Sequence, residues 1–513
     1  MNKNELRSQQ PPRNIKKQEA TVPSSPTPLS STASHFSTYH SITASLLVIA
    51  IAGLYEVHRL CTSNNALLTS LSSARADFDP RPVVWVYSKS PDRSHLHHVI
   101  EVFREYGYRI GERTDSWSVL WSHEYPFTEL APDMRELKAS QAVNHFPGSG
   151  YITNKASLST DRSIQQLPLT FKLPAQKHEF VRYVSEHPSA MWVQKDRDHR
   201  GIRVVEPSEV AEDGDIKFVQ ELISNPLLID GKKFDIGVYV VMTSLEPLRV
   251  YVYRGDVLLR FCARPYNAHQ FNASDLDSYV IGDDYTPVWE VPSLARYYVA
   301  SGLSMKASLD AYLRAQLGAD SGALWAELER AVATVYERKA ASMRSAASRW
   351  SRGRFFELVR FDFVLDEALG VHLLEANMSP NLSSAHFAAN GPFYEQLLMS
   401  MLGLVGLGTP RAPREDDGWR FLDRATSVLP EDCLQREQDC RPPTSLCSPG
   451  CLSAAHRKAF AEAFWEHLNR KQFARLVPRP DGGADPEANL TDADRIMSLW
   501  FRAKCAQDSD WCY

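Results

Sequence analysis

Apolar positions along this chain change their spacing several times, and each change marks a part of the protein. Residues 1–40 are rich in Ser, Thr, Pro and Lys with few apolar positions, a composition that buries too little surface to fold alone and predicts a disordered head. Ser41 to Tyr55, SITASLLVIAIAGLY, carries no charge. Extended to residue 60 it predicts a transmembrane signal anchor, although the run falls short of the roughly 17–25 residues of a spanning helix; a cleaved signal peptide and a soluble helix compete with that reading. A polar spacer fills 61–82. From Val83 the strand-like runs VVWVY and WSVLW flank a helical His95–Tyr106 with Val99, Val102 and Phe103 on one face, which predicts a small α/β subdomain over 83–150. Residues 151–408 alternate strand and helix signals, with strands at Met191–Lys195, Ile216–Leu222, Lys232–Ser244 and Leu248–Arg254, one long helical region from Ala307 to Ala347, and an apolar helix over Pro392–Leu407. A linker over 409–424 then leads to a cysteine-rich region, 425–513.

The stretch from Phe355 to Asn381, FFELVRFDFVLDEALGVHLLEANMSPN, reads as two apolar strands joined by an acidic turn at Asp366-Glu367. Asp362, Glu375 and Asn377 stand out among Phe, Val and Leu. Positions i and i+2 share a face of a strand, so Glu375 and Asn377 project together, and three hard oxygen ligands on facing strands suit Mg²⁺ bound with a nucleotide's phosphates. A solvent-facing hairpin accounts for the same letters equally well.

Three further places carry candidate chemistry. Lys195 ends an apolar strand before the polar loop DRDHRGI, where a lysine and backbone amides could hold phosphate; an exposed lysine before a turn is the plainer reading. Gln220, Glu221 and Leu222 end a strand whose edge could hydrogen-bond a purine. Lys233 and Asp235 share one face of an otherwise buried strand, KKFDIGVYVV, and charges on a buried face need partners.

Charge narrows the partners. A net charge of −5 over 513 residues leaves no clustered basic footprint for nucleic acid. Cysteine narrows the compartment: Cys433, Cys440, Cys447, Cys451, Cys505 and Cys512 crowd the end of the chain, with no C-x-x-C pair for zinc, and predict a disulfide framework of undetermined pairing in an oxidising compartment. Cys262, in VLLRFC, reads as a buried inert thiol. Lys16 and Lys17 before the apolar run and Arg59 after it give only a weak orientation signal. The tail cysteines therefore decide, and predict a single-pass type II protein with a luminal or extracellular globular part. Sequons at Asn272, Asn381 and Asn489 are compatible with that placement.

Taken together, DSWSVLW, NHFPG, TNKASL, LPLTFKLP, WVQK, the run from FVQEL to LLRF, and FELVRFDFVLDEALGVHLLEANMSPNL resemble the tubulin tyrosine ligase-like family of ATP-grasp ligases over about two-thirds of the chain. The resemblance implies an ATP-grasp fold behind the N-terminal α/β subdomain, with ATP and Mg²⁺ as cofactors. It makes Asp362, Glu375 and Asn377 the metal ligands, with the family's spacing kept between the first two. It places Lys195 on the α/β-phosphates, Gln220 to Leu222 at adenine, and Lys233 with Asp235 in the nucleotide site. Lys155 and Arg260 match basic positions near phosphate and the acceptor's carboxylates. The implied reaction activates a protein carboxylate as an acyl phosphate and joins it to an amino acid's amine, glutamate foremost. The acceptor would be tubulin or, if the domain is luminal, another protein. Three features depart from the pattern. Gly237 stands where K-F-D-x-R has arginine; Asp196 and His199 replace a proline and a glycine of the loop after Lys195; and a luminal domain would not meet cytosolic tubulin. The first two keep open a second reading, a catalytically weakened, membrane-anchored nucleotide-binding or regulatory protein of the secretory pathway.

Overall fold

A computed structural model describes residues 46–65, 79, 81–188, 190–195, 203–205, 217–267, 275–350, 353–408, 425–428, 446 and 449–513. They belong to two compact units, Met1–Pro80 and Arg81–Tyr513. In the first, Leu46–Asn65 is a single helix, long and apolar enough to cross a membrane, with its apolar side chains exposed. The predicted anchor at 41–60 thus overlaps a helix that continues to residue 65. The head at 1–40 lies outside the described residues.

The second unit contains three sheets. The first is parallel, in the order Arg354–Phe355, Ala142–Val143, Val119–Ser122, Val83–Tyr87, Arg109–Gly111. Its unbroken apolar strands are those of a sheet covered on both faces, and helix His97–Glu105 buries Val99, Val102 and Phe103 against it. The sheet borrows a strand from 354–355, far beyond the 150 boundary read from sequence. The second sheet is antiparallel, ordered Thr170–Leu173, Lys217–Glu221, Trp192–Lys195, Arg203–Val205. Phe171, Phe180 and Trp192 fill the space between it and helix Lys177–Glu186.

The third sheet is built on Lys232–Leu245, a 14-residue strand buried along almost its whole length. One edge pairs first with Leu258–Phe261 and then with Leu248–Tyr253; the other pairs with Glu357–Leu365, which pairs in turn with Val371–Met378. Behind the sheet, helix Ser321–Ala347 buries Leu324, Leu328, Ala331, Val332, Val335 and Met343. The long helix predicted over 307–347 is in fact two, Met305–Leu317 and Ser321–Ala347. Gly318 closes the first in the left-handed region at φ 62°, and the Asp320 side chain caps the start of the second. The apolar helix spans Gly391–Leu404.

The chain beyond 425, read from sequence as a region of its own, adds strand Phe473–Val477 to the edge of the central sheet beside Leu248–Tyr253. Helices Ala454–Asn469 and Asp492–Gln507 pack there, the latter opened by a capping box between Thr491 and Asp494. Cys505 and Cys512 form a disulfide, and Cys451 is disulfide-bonded as well. Cys433, Cys440 and Cys447 lie outside the described residues, as does the linker over 409–424. Cys262 is fully buried and free, and burial pushes its thiol up to about 11, which keeps it protonated and inert.

Candidate active site

The hairpin forms as its sequence predicts. Asp366 fixes the turn by accepting from the amides of Ala368 (2.9 Å) and Gly370 (2.7 Å), and Leu369 takes a positive φ of 65°. Asp362 faces Glu375 across the pair, and Arg360 faces Asn377. One feature of the register was not legible in the alternation: Phe363 pairs with Leu373, so Leu374 is an extra residue opposite the Asp362–Phe363 step. Such a bulge re-aims side chains. Without it Glu375 and Asn377 would share a face with core-facing Val371 and Leu373; with it, Ala376 turns to the core and Glu375 and Asn377 turn to the face of Asp362.

On that face the predicted residues meet. Asn377 donates from Nδ2 to Asp362 Oδ2 (2.7 Å) and to Glu375 Oε1 (3.0 Å). Lys155, at the start of a short helix capped by Asn154, places Nζ 2.8 Å from Glu375 Oε2. Arg260 grips Asp235 with Nε and Nη2 (3.0 and 2.6 Å) and reaches Asp362 Oδ2 at 3.1 Å. These contacts follow from pairing, because Asp235 lies opposite Arg260 and Gly237 opposite Asp362. Burial raises the Asp235 carboxyl to about 6; Arg260 opposes the shift and Asp362 adds to it. Lys233 is 5% exposed and donates to the Tyr279 carbonyl at 3.0 Å, and burial lowers its pKa. The charged pair predicted on a buried face is therefore partnered, lysine to a carbonyl and aspartate to arginine.

The remaining predicted residues come from the second sheet. Lys195 ends strand Trp192–Lys195; its side chain and the loop holding Asp196 and His199 lie outside the described residues. Gln220 is buried and Glu221 half-buried, with burial raising the Glu221 carboxyl. The edge expected at 220–222 is corrected: Lys217–Glu221 is an interior strand between Thr170–Leu173 and Trp192–Lys195, and the amides of Glu221 and Leu222 already donate to the carbonyls of Leu169 and Met191, each at 2.8 Å. Those two amides are committed to the fold.

Arg360 was missed. It is 7% exposed and holds Asp362 in a fork, Nε to Oδ1 at 2.7 Å and Nη2 to Oδ2 at 2.9 Å. Two-residue periodicity could have found it, since 360 and 362 share a face. Beside it Tyr239 is fully buried, its hydroxyl pushed up to about 12 by that burial. Further along the same strand Glu357, 1% exposed, meets His145 Nδ1 at 2.9 Å and ties the hairpin to the N-terminal sheet.

The donor set fits a divalent cation held together with phosphates. Asp362, Glu375 and Asn377 offer hard oxygens on one surface, and Lys155, Arg260 and Arg360 surround them with the positive charge that polyanionic phosphate requires. The chain is 38% identical over 460 residues to a protein named probable tubulin polyglutamylase ttll-15 of Caenorhabditis elegans, covering 85% of this chain and 87% of that protein. It is 31% identical to human tubulin polyglutamylase TTLL5 over 65% of this chain and 27% of that protein. It is 29% identical to human tubulin monoglutamylase TTLL4 over 63% of this chain and 28% of that protein. The chain thus spans most of the worm relative and under a third of these two human ones. A family profile described as Tubulin-tyrosine ligase family matches residues 133–412. That match takes in more than half of the chain and encloses the whole cluster from Lys155 to Asn377, and the chain accordingly belongs to the tubulin-tyrosine ligase family.

Proposed function

We propose that the protein is an ATP- and Mg²⁺-dependent carboxylate–amine ligase that adds an amino acid, glutamate foremost, to a carboxylate of tubulin or another protein acceptor. The observation that carries the reading is the convergence of Asp362, Glu375 and Asn377 with Lys155, Arg260 and Asp235 on one face of the central sheet. Asp362, Glu375 and Asn377 would hold the metal, which when bound neutralises phosphate charge and polarises the transferring phosphoryl group. Lys155 would steady negative charge developing on the acceptor carboxylate and its acyl phosphate, and Arg260, on the Asp362 side of the cluster, would add to it with Asp235 as counter-charge. Lys233, lining the same strand, is anchored to Tyr279. In the overall reaction an acceptor carboxylate oxygen takes the terminal phosphoryl group and ADP leaves; the amino acid's amine then displaces phosphate and loses a proton as the amide forms. The names of the relatives, tubulin polyglutamylase and tubulin monoglutamylase, support glutamate as donor and tubulin as acceptor.

Gly237 and His199 motivate the second reading, a membrane-anchored nucleotide-binding or regulatory protein of reduced activity acting in the secretory pathway. One assay separates the two. Full-length protein in detergent is incubated with Mg²⁺-ATP, labelled glutamate and tubulin, alongside Glu375→Gln. Incorporation by the parent and its loss in Glu375→Gln, together with weakened Mg²⁺-ATP binding, is the expected result; ATP affinity unchanged in Glu375→Gln would remove the metal assignment.

A further inference from the structure

Gly237 has no backbone reason to be glycine, since its φ lies outside the positive region that glycine favours. Its reason is steric. A Cβ at 237 would lie 2.8 Å from Cδ and 3.3 Å from Nε of Arg360, and 3.3 Å from the Leu258 Cβ. The Arg360 side chain crosses the strand pair and lies over Gly237, in the space that any larger side chain there would enter. From that position its guanidinium forks onto Asp362, while Arg260 reaches the same carboxylate from the opposite neighbouring strand. Position 237 is directly opposite Asp362 in the pairing, so side chains rooted at 237 and at 360 start from adjacent strands beside the same carboxylate.

We infer that Arg360 supplies, from the neighbouring strand, the guanidinium that the family pattern places at position 237. Glycine at 237 leaves the room in which the Arg360 side chain lies, and the face keeps a guanidinium on Asp362. The inference rests on the proposed nucleotide-dependent reaction and deepens it: Arg360 holds Asp362 in orientation for metal and adds charge beside the phosphates. It also removes the reason to regard Gly237 as a loss of function.

The test is reciprocal exchange in the full-length protein, with Arg360→Gly, Gly237→Arg, the double variant and Arg360→Lys. Mg²⁺-ATP affinity, glutamate incorporation and the melting temperature of the nucleotide-free protein are each measured. Arg360→Gly is expected to weaken Mg²⁺-ATP binding and to lower incorporation by about 10²-fold or more. Arg360→Lys keeps the charge without the planar fork and should fall between Arg360→Gly and the parent in affinity while remaining folded. Gly237→Arg alone should lower the nucleotide-free melting temperature, because its side chain meets Arg360. The double variant should melt above Gly237→Arg and bind Mg²⁺-ATP more tightly than either single variant, a coupling that independent sites do not give. Full affinity and activity in Arg360→Gly, or a double variant no better than the sum of its parts, would overturn the inference. A parent that binds Mg²⁺-ATP without incorporating glutamate would overturn the proposed reaction and leave the exchange readable through affinity and melting. A parent that binds no Mg²⁺-ATP would overturn both.

Discussion

Lys155 and Glu375 are each only about a quarter exposed and 2.8 Å apart, and the two roles this pair could play differ sharply in size. As an ion pair near solvent it contributes about 0–1 kcal/mol to stability. As a cation facing developing charge it is worth about 10²–10³ in rate. Lys155→Met is therefore expected to leave the melting temperature of the nucleotide-free protein nearly unchanged while lowering glutamate incorporation by about two to three orders of magnitude. A parallel fall in both would assign Lys155 to the fold. Asp362 is the opposite case at this scale. It is 1% exposed and gripped by Arg260, Arg360 and Asn377, so its position is set before any ligand arrives, as the proposed metal role would require.

At the scale of elements, the central sheet owes part of its rigidity to the far end of the chain. Arg249 is 1% exposed on strand Leu248–Tyr253; its Nε and Nη2 bond both carboxylate oxygens of Glu466 at 2.8 and 3.0 Å, and Tyr251 donates to Glu466 at 2.9 Å. Leu248 donates its amide to Asp494 at 2.8 Å, and Arg344 of the long helix meets the same carboxylate at 2.6 Å. Helices Ala454–Asn469 and Asp492–Gln507 are thereby latched to the sheet that carries the site. Removing one partner of a buried pair costs about 3–5 kcal/mol when the other is left alone; Arg249 keeps the partly exposed Glu462 at 3.1 Å, which places the loss of Glu466 at the lower end. Glu466→Leu is expected to destabilise by about that much in chemical denaturation followed by tryptophan fluorescence, and Glu466→Leu with Arg249→Met to recover most of it, since no charge is then left buried. Loss of under about 0.5 kcal/mol in the single variant would mean that the latch does not hold the sheet.

At the scale of the whole molecule the first unit contributes one helix long and apolar enough to cross a membrane. The exposed apolar helix Leu46–Asn65 supports anchorage, and the Cys505–Cys512 disulfide favours an oxidising compartment. We propose a single-pass type II arrangement with Arg81–Tyr513 luminal or extracellular, which would bring the non-tubulin class of acceptor, a secretory protein, to the site. A sequon engineered into the spacer 61–82 is expected to be glycosylated in cells and one in the head 1–40 to stay unmodified. The reverse pattern would turn the catalytic unit to the cytosol and make tubulin the leading acceptor.

Much of this was legible in the chain itself. Two-residue periodicity placed Glu375 with Asn377 and Lys233 with Asp235, apolar runs located the strands of the central sheet, and the motifs around them pointed to the family, because local pattern and short spacing are written directly in sequence. Other features depend on residues distant in the chain and were decided only by tertiary structure. The bulge at Leu374 follows from register between two strands, the interior position of Lys217–Glu221 from sheet order, and the strand Phe473–Val477 from pairing with a partner more than two hundred residues away. The relation between Gly237 and Arg360 belongs with these. Read along the chain, glycine at 237 is a missing arginine; across the strand pair, it is the space in which another arginine lies.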